Sequence, residues 1–256
     1  MSGSFGGYRL RFVSVMGILT PIQYMECEMT TPSSQNHTRW AEAPWQLSGR
    51  GFILLGRFDP EWVRQQCTFQ PEFGAAFKGG WGAMMLVDYH HSDVGPYQEC
   101  LWIPGRYDVN GARRFHIPQI YVSTDVSVRN GRKNWGIPKR QARFDWQRDS
   151  SHERIQISAG NAVSDVILKT HPLYLPFSTA LLPRCLRTIV QNGLEGGFLS
   201  TLLSGYGIAQ WASVESIEID PSMMAPIEKN QIHMALCISR FKLTFHEPQW
   251  SKNLAK

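Results

Sequence analysis

At 256 residues, with 43% hydrophobic and 18% charged residues, the chain holds enough material for one large domain or two small ones and is not a disordered protein. A formal charge of +5 suits attraction to small carboxylates and is too modest to argue for nucleic acid. Cys27, Cys67, Cys100, Cys185 and Cys237 are odd in number, widely spaced and free of any C-x-x-C pair, which argues against a disulfide framework or a structural zinc site. A reducing, cytoplasmic location follows from that pattern.

Residues 1–40 read as an N-terminal extension and linker, and 41–256 as a single domain with no internal repeat. Arg9 and Arg11 precede an apolar run, Phe12 to Leu19, that loosely imitates a targeting segment, so targeting by residues 1–25 stays open. Pro21 breaks that run, which is too short to span a bilayer, and no membrane association is expected. From Pro44 onward short apolar runs alternate with turn residues, a β pattern that the abundant Trp, Phe and Tyr suit. Strands are predicted over Gly51–Phe58, Trp81–Tyr89, Tyr97–Ile103, Ile117–Val122, His152–Ile157, Val163–Lys169, Tyr206–Ile219 and Ile232–Phe245. A short helical turn is predicted at Pro60, and Leu181–Val190 fits either a strand or a helix. Ser123-Thr124-Asp125 supplies caps for a short helix ending near Asn130-Gly131. About ten strands with little helix predict a mainly β (α+β) fold, a closed or nearly closed antiparallel β-barrel with a few short helices.

Two stretches carry chemistry. On Tyr97–Ile103 the period of two puts Tyr97, Glu99, Leu101 and Ile103 on one face, so Glu99 shares that face with apolar side chains. A solvated sheet edge is the bland account of the same spacing. The second stretch is Gly131-Arg132-Lys133-Asn134-Trp135-Gly136-Ile137-Pro138-Lys139-Arg140. A lysine with its ordinary pKa of about 10.4 is protonated at neutral pH, and burial or an adjacent cation frees the amine. Lys139 beside Arg140 is therefore a candidate Schiff-base nucleophile, against the plainer reading of a basic surface loop. His90-His91 sits at a strand end, where adjacent side chains point to opposite faces, and no third ligand is evident, so no metal is predicted. Phosphate-binding loops, dinucleotide fingerprints and serine nucleophile elbows do not occur, and no cofactor is predicted.

Gly95-Pro96-Tyr97-Gln98-Glu99 and Gly131 through Arg140 together resemble the acetoacetate decarboxylase family. The first is similar to that family's Gly-x-Tyr-x-Glu strand and the second to its Gly-Arg-Glu-x-x-Gly-x-Pro-Lys-Lys segment. The resemblance extends over roughly residues 44–248 and implies the family's β-barrel, a homo-oligomer and no cofactor. By position it makes Lys139 the Schiff-base lysine, Glu99 the active-site glutamate and Arg140 the neighbouring cation. Arg50 is the nearest match for a substrate-side arginine, with Tyr97, Tyr121, Met84 and Trp135 as further substrate contacts. Activation of a lysine by an adjacent cation is itself described for acetoacetate decarboxylase, so the charge argument is not independent of the resemblance. Three departures stand out: Arg140 replaces a lysine, Lys133 replaces a glutamate, and Met84-Met85 falls where a second glutamate is expected.

The reading that follows is a cofactor-independent decarboxylase of a β-keto acid, larger or more apolar than acetoacetate, such as a secondary-metabolite keto acid. An aldolase-dehydratase using the same imine is the second reading, and a non-catalytic barrel that binds an apolar carboxylate is the third.

Overall fold

In the computed structural model the described residues are 40–67, 71–109 and 111–252, so the expected extension and targeting segment lie outside them. The chain opens with β1 (Trp45–Arg57) and two short helices, α1 (Pro60–Gln66) and α2 (Pro71–Ala76). Strands β2 (Phe77–Gly79), β3 (Trp81–His91), β4 (Tyr97–Ile103), β5 (Arg106–Val109), β6 (Ala112–Phe115) and β7 (Gln119–Val122) lead to α3 (Asp125–Trp135). After it come β8 (Arg140–Gln141), β9 (Arg143–Asp149), β10 (His152–Ala159) and β11 (Ala162–Ser178). Strands β12 (Thr188–Asn192), β13 (Phe198–Glu218), β14 (Ile232–Phe245) and β15 (Gln249–Ser251) complete the series. None of the described helices is long and apolar enough to cross a membrane.

All fifteen strands join one mixed sheet. Its main path runs β8-β7-β4-β3-β1-β14-β13-β11-β10-β9, antiparallel throughout except for the parallel pair β7 and β8. The two end strands are consecutive in the chain, joined through Ala142, whose N–H donates to the Val122 carbonyl at 3.0 Å. That link is covalent and not a ladder, so the sheet stays open and "barrel" describes it only loosely. A branch of β12, β6, β5 and β2 leaves one end of β13, with a second parallel pair between β12 and β6.

Side-chain alternation sorts the core into two clusters on opposite faces of the same strands. Phe52, Leu54, Met84, Leu86, Cys100, Trp102 and Tyr121 belong to one cluster. Trp45, Leu47, Val87, Tyr89, Tyr97, Leu101, Ile120 and Val122 belong to the other, together with Val126, Val128 and Trp135 of α3. Helix α3 therefore covers the second face.

The helix ends where its sequence directs. Thr124 caps the N-terminus by accepting from the Ser127 N–H at 3.3 Å, and Asp125 in the first turn and Arg132 and Lys133 in the last suit the helix dipole. Gly136 takes the left-handed conformation, φ 65°, and its N–H donates to the Arg132 carbonyl at 2.9 Å. A side chain at this position would meet the Asn192 carbonyl oxygen at 1.8 Å, so only glycine fits.

Candidate active site

The Gly136 turn reverses the chain and sends Lys139 back along the helix it has just left. Arg132 holds the returning strand by donating from Nε to the Lys139 carbonyl at 2.9 Å. The lysine side chain then crosses Gly131, where a β-carbon would lie 2.7 Å from Lys139 Cδ and 2.8 Å from Cε. Glycine at this helical position is the space through which the amine passes.

Nζ arrives in a buried polar cluster. It donates to Glu99 Oε2 at 2.9 Å, to Ser127 Oγ at 3.1 Å and to the Tyr97 hydroxyl at 3.4 Å. Lys139 and Glu99 are each 4% exposed and Ser127 is fully buried. Tyr89, opposite Tyr97 in the β3–β4 hairpin, donates its hydroxyl to Glu99 Oε1 at 3.2 Å. Each carboxylate oxygen thus has its own partner, and the two phenol rings pack 4.7 Å apart. Burial raises both phenols well above their ordinary range, and the Glu99 charge adds to it, so each stays a protonated donor. An amine, a carboxylate and three hydroxyls within reach of one another, enclosed by apolar side chains, can take up and release protons without bulk water.

The expected site residues divide between the two faces. Lys139, Glu99 and Tyr97 come together, and Trp135 joins the same cluster as packing. Its indole N–H donates to the His246 carbonyl at 2.9 Å, and its ring meets Trp45 and Phe245 edge-on. Arg50, Met84 and Tyr121 lie on the opposite face of the sheet. The Tyr121 hydroxyl donates to the Met223 carbonyl at 3.1 Å, and Met84 is wholly buried in the other cluster. Arg50 is taken up by Glu153 through both terminal nitrogens, one of them at 2.5 Å, and touches Cys237 Sγ at 3.4 Å. Burial pushes the Glu153 carboxyl up, but hydrogen bonds from Arg50 and Trp146 and the charges of Arg50 and Arg148 outweigh it and hold the group below its usual range.

Arg140 needs the same correction. It pairs with Tyr121 in register, is exposed, and alternates away from Lys139, so its cation does not adjoin the amine. On the lysine side the methionine is Met85, partly buried against the cluster, and Val87 lies directly across from Glu99. The place of a second carboxylate is therefore apolar. Sequence reasoning missed Ser127 and Tyr89. Ser127 stands one helical turn before Gly131, and Tyr89 shares the parity of Tyr97 and Glu99 across a short hairpin, so both signals were present in the spacing.

Two surface clefts, of about 530 and 330 Å³, open elsewhere and are not lined by Lys139.

The acetoacetate decarboxylase (ADC) family profile matches residues 30–163. Among solved structures the fold is similar to an acetoacetate decarboxylase from Legionella pneumophila subsp. pneumophila str. Philadelphia 1. The identity is 14% and the TM-score 0.60, over 88% of this chain and 93% of that one. An acetoacetate decarboxylase-like enzyme from Sphingomonas wittichii RW1 is similar at 10% identity and a TM-score of 0.61, over 88% and 98% of the two chains. The enduracididine biosynthesis enzyme MppR, complexed with pyruvate, is similar at 13% identity and a TM-score of 0.59, over 91% and 99%. At these identities the likeness is one of fold. Comparison with curated proteins gives no match.

Proposed function

Because the chain belongs to the acetoacetate decarboxylase family, we propose that it is a cofactor-independent enzyme that decarboxylates a β-keto acid through an imine on Lys139. The observation that carries the reading is the buried Lys139 Nζ held 2.9 Å from Glu99 Oε2. Transfer of a proton from Nζ to Oε2 uncovers the amine, which attacks the ketone carbon. The carbinolamine then takes the proton from Glu99 and loses water, leaving a protonated imine. That imine accepts the electron pair of the breaking carbon–carbon bond, so carbon dioxide leaves and an enamine remains. The enamine carbon takes a proton drawn from water and relayed through the Glu99, Tyr97 and Ser127 cluster, and a second water hydrolyses the resulting protonated imine to release the ketone and regenerate Lys139. With Lys139 4% exposed, admission of substrate requires the side chains around Nζ to part. Met85 and Val87 beside the cluster favour a substrate larger and more apolar than acetoacetate.

A second reading keeps the imine and changes its fate. MppR has also been solved with the condensation product of pyruvate and imidazole 4-carboxaldehyde. In that reading the enamine formed on Lys139 attacks an aldehyde, and loss of water follows. A homo-oligomer belongs to the same proposal and is supported by the exposed Leu173, Tyr174, Leu175 and Leu181. So does a cytoplasmic location, which the cysteine pattern supports.

Incubation with a panel of keto acids and borohydride, followed by mass spectrometry, tests the imine. An adduct on Lys139 that is absent from Lys139→Ala is expected; no adduct across the panel overturns both readings. Carbon dioxide release then separates decarboxylation from condensation.

A further inference from the structure

We propose that a second ligand site, for a small oxyanion, lies in the 330 Å³ cleft on the face of β13 and β14 turned away from Lys139. Phe241, Leu243, Phe245 and Leu203 pack into the lysine's cluster. Lys242, Thr244 and Ser204 alternate with them and point the other way. Strand register assembles these residues into two cross-strand rows: Ser204, Thr244 and Gln46 in one, and Ser178, Tyr206 and Lys242 in the next. Thr179 and Arg187 also line the cleft.

The chemistry of the lining selects the ligand. Lys242 and Arg187 are its cations, and among the described residues no aspartate or glutamate lines it. Neither cation makes an ion pair with a described residue. Arg187 Nε is buried without an acceptor among the described residues, the costly state for a charged donor. Two hydroxyls are poised as donors. Thr179 Oγ1 accepts from the Gly205 N–H at 2.8 Å and Ser178 Oγ from the Ala180 N–H at 3.2 Å, and neither hydroxyl donates to a described residue. Two cations and two hydroxyl donors, with no competing carboxylate among the described residues, match a carboxylate or a phosphate. The volume stands at the small end of ligand sites. The site is independent of the lysine chemistry and does not rest on it.

Titration of the full chain with inorganic phosphate and, separately, with acetate, at ionic strength held constant with chloride, tests the site by calorimetry. Saturable binding of at least one anion is expected, weakened about tenfold or more by Lys242→Gln and by Arg187→Gln, as for loss of one charged hydrogen bond. Arg113→Gln, an exposed change on β6, should leave it unaltered. Tighter phosphate binding identifies a phosphoryl ligand and tighter acetate binding a carboxylate. Saturation by neither anion, or saturation unchanged by Lys242→Gln, overturns the proposal. Lys242 is exposed, so its variant decides the matter even where Arg187→Gln unfolds.

Discussion

Gly131 occupies the face of α3 that Lys139 crosses, and alanine at this position tests the placement of the amine without altering a polar group. The added carbon would stand 2.7 Å from Lys139 Cδ and 3.4 Å from Nζ. Carbon contacts settle near 3.5 Å, so Cδ must retreat by roughly 0.8 Å. The obstacle is a flexible side chain and not backbone, which lets the helix persist. Alanine favours a helix over glycine by about 1 kcal/mol, so stability should hold or rise. Chemistry should move in the opposite direction. A displacement of Nζ approaching 1 Å breaks its 2.9 Å contact with Glu99, and misplacement on that scale costs roughly 10²-fold in rate. Single-turnover trapping with borohydride, run beside a thermal melt, reads both quantities. Trapping in Gly131→Ala within about twofold of wild type would refute the view that this glycine sets the amine's position.

Arg140→Ala should leave the trapping rate within about twofold, because its exposed charge is screened and points away from Nζ; a tenfold loss would restore it as an activator. Lys139→Met should cost about 3–5 kcal/mol in urea unfolding by leaving Glu99 buried without its cation, and Lys139→Met combined with Glu99→Gln should be more stable than the single variant. His116 is buried, stacks on Phe73 at 4.0 Å and donates from Nδ1 to the Val190 carbonyl at 3.0 Å. Burial pushes its imidazole down to about 4, more than its hydrogen bond raises it. Between that value and the ordinary 6.5 the unfolded chain binds the extra proton, so stability should rise with pH across this window and His116→Asn should flatten the slope in melting temperature. The Glu153 carboxyl lies below its usual range, so its pairing with Arg50 stabilises the fold above about pH 4.3 and fades as pH falls; Glu153→Gln should lower stability at neutral pH and remove that part of the acid dependence.

Alternation made Tyr97–Ile103 and Ile232–Phe245 legible as strands at their observed bounds, and Thr124 announced the start of α3. The pairing of Lys139 with Glu99 was legible only through the family resemblance, since their contact spans forty residues. What alternation withholds is which of two faces receives the helix. Arg50, Met84 and Tyr121 are plausible by residue type, yet each has the parity of the other face, and only the register of β3, β4 and β7 with the docking of α3 shows it. The strand expected over Val163–Lys169 is longer in the structure, where β11 runs on to Ser178 through Pro172 and Pro176. Beyond Lys169 the strand has left β10; Pro172 falls in the irregularity between Thr170 and Tyr174, and Pro176 pairs with Ile208 of β13 on a stretch with only one neighbouring strand, the edge setting in which proline is tolerated. The ambiguous Leu181–Val190 contains a 3₁₀ turn at Arg184–Leu186 and the start of β12.

Most of the site's wiring is local. Ser127 and Lys139 are twelve residues apart and Tyr89 and Glu99 ten, so the amine with its hydroxyl and the carboxylate with its phenol each occupy one short stretch of chain. The Gly136 turn makes the first stretch self-contained, since it folds the lysine onto its own helix before any strand is involved. The two stretches can therefore diverge separately. Exchange of the 89–99 hairpin between chains of this fold would change what the amine meets while leaving its presentation intact, which makes the hairpin a natural unit of recombination.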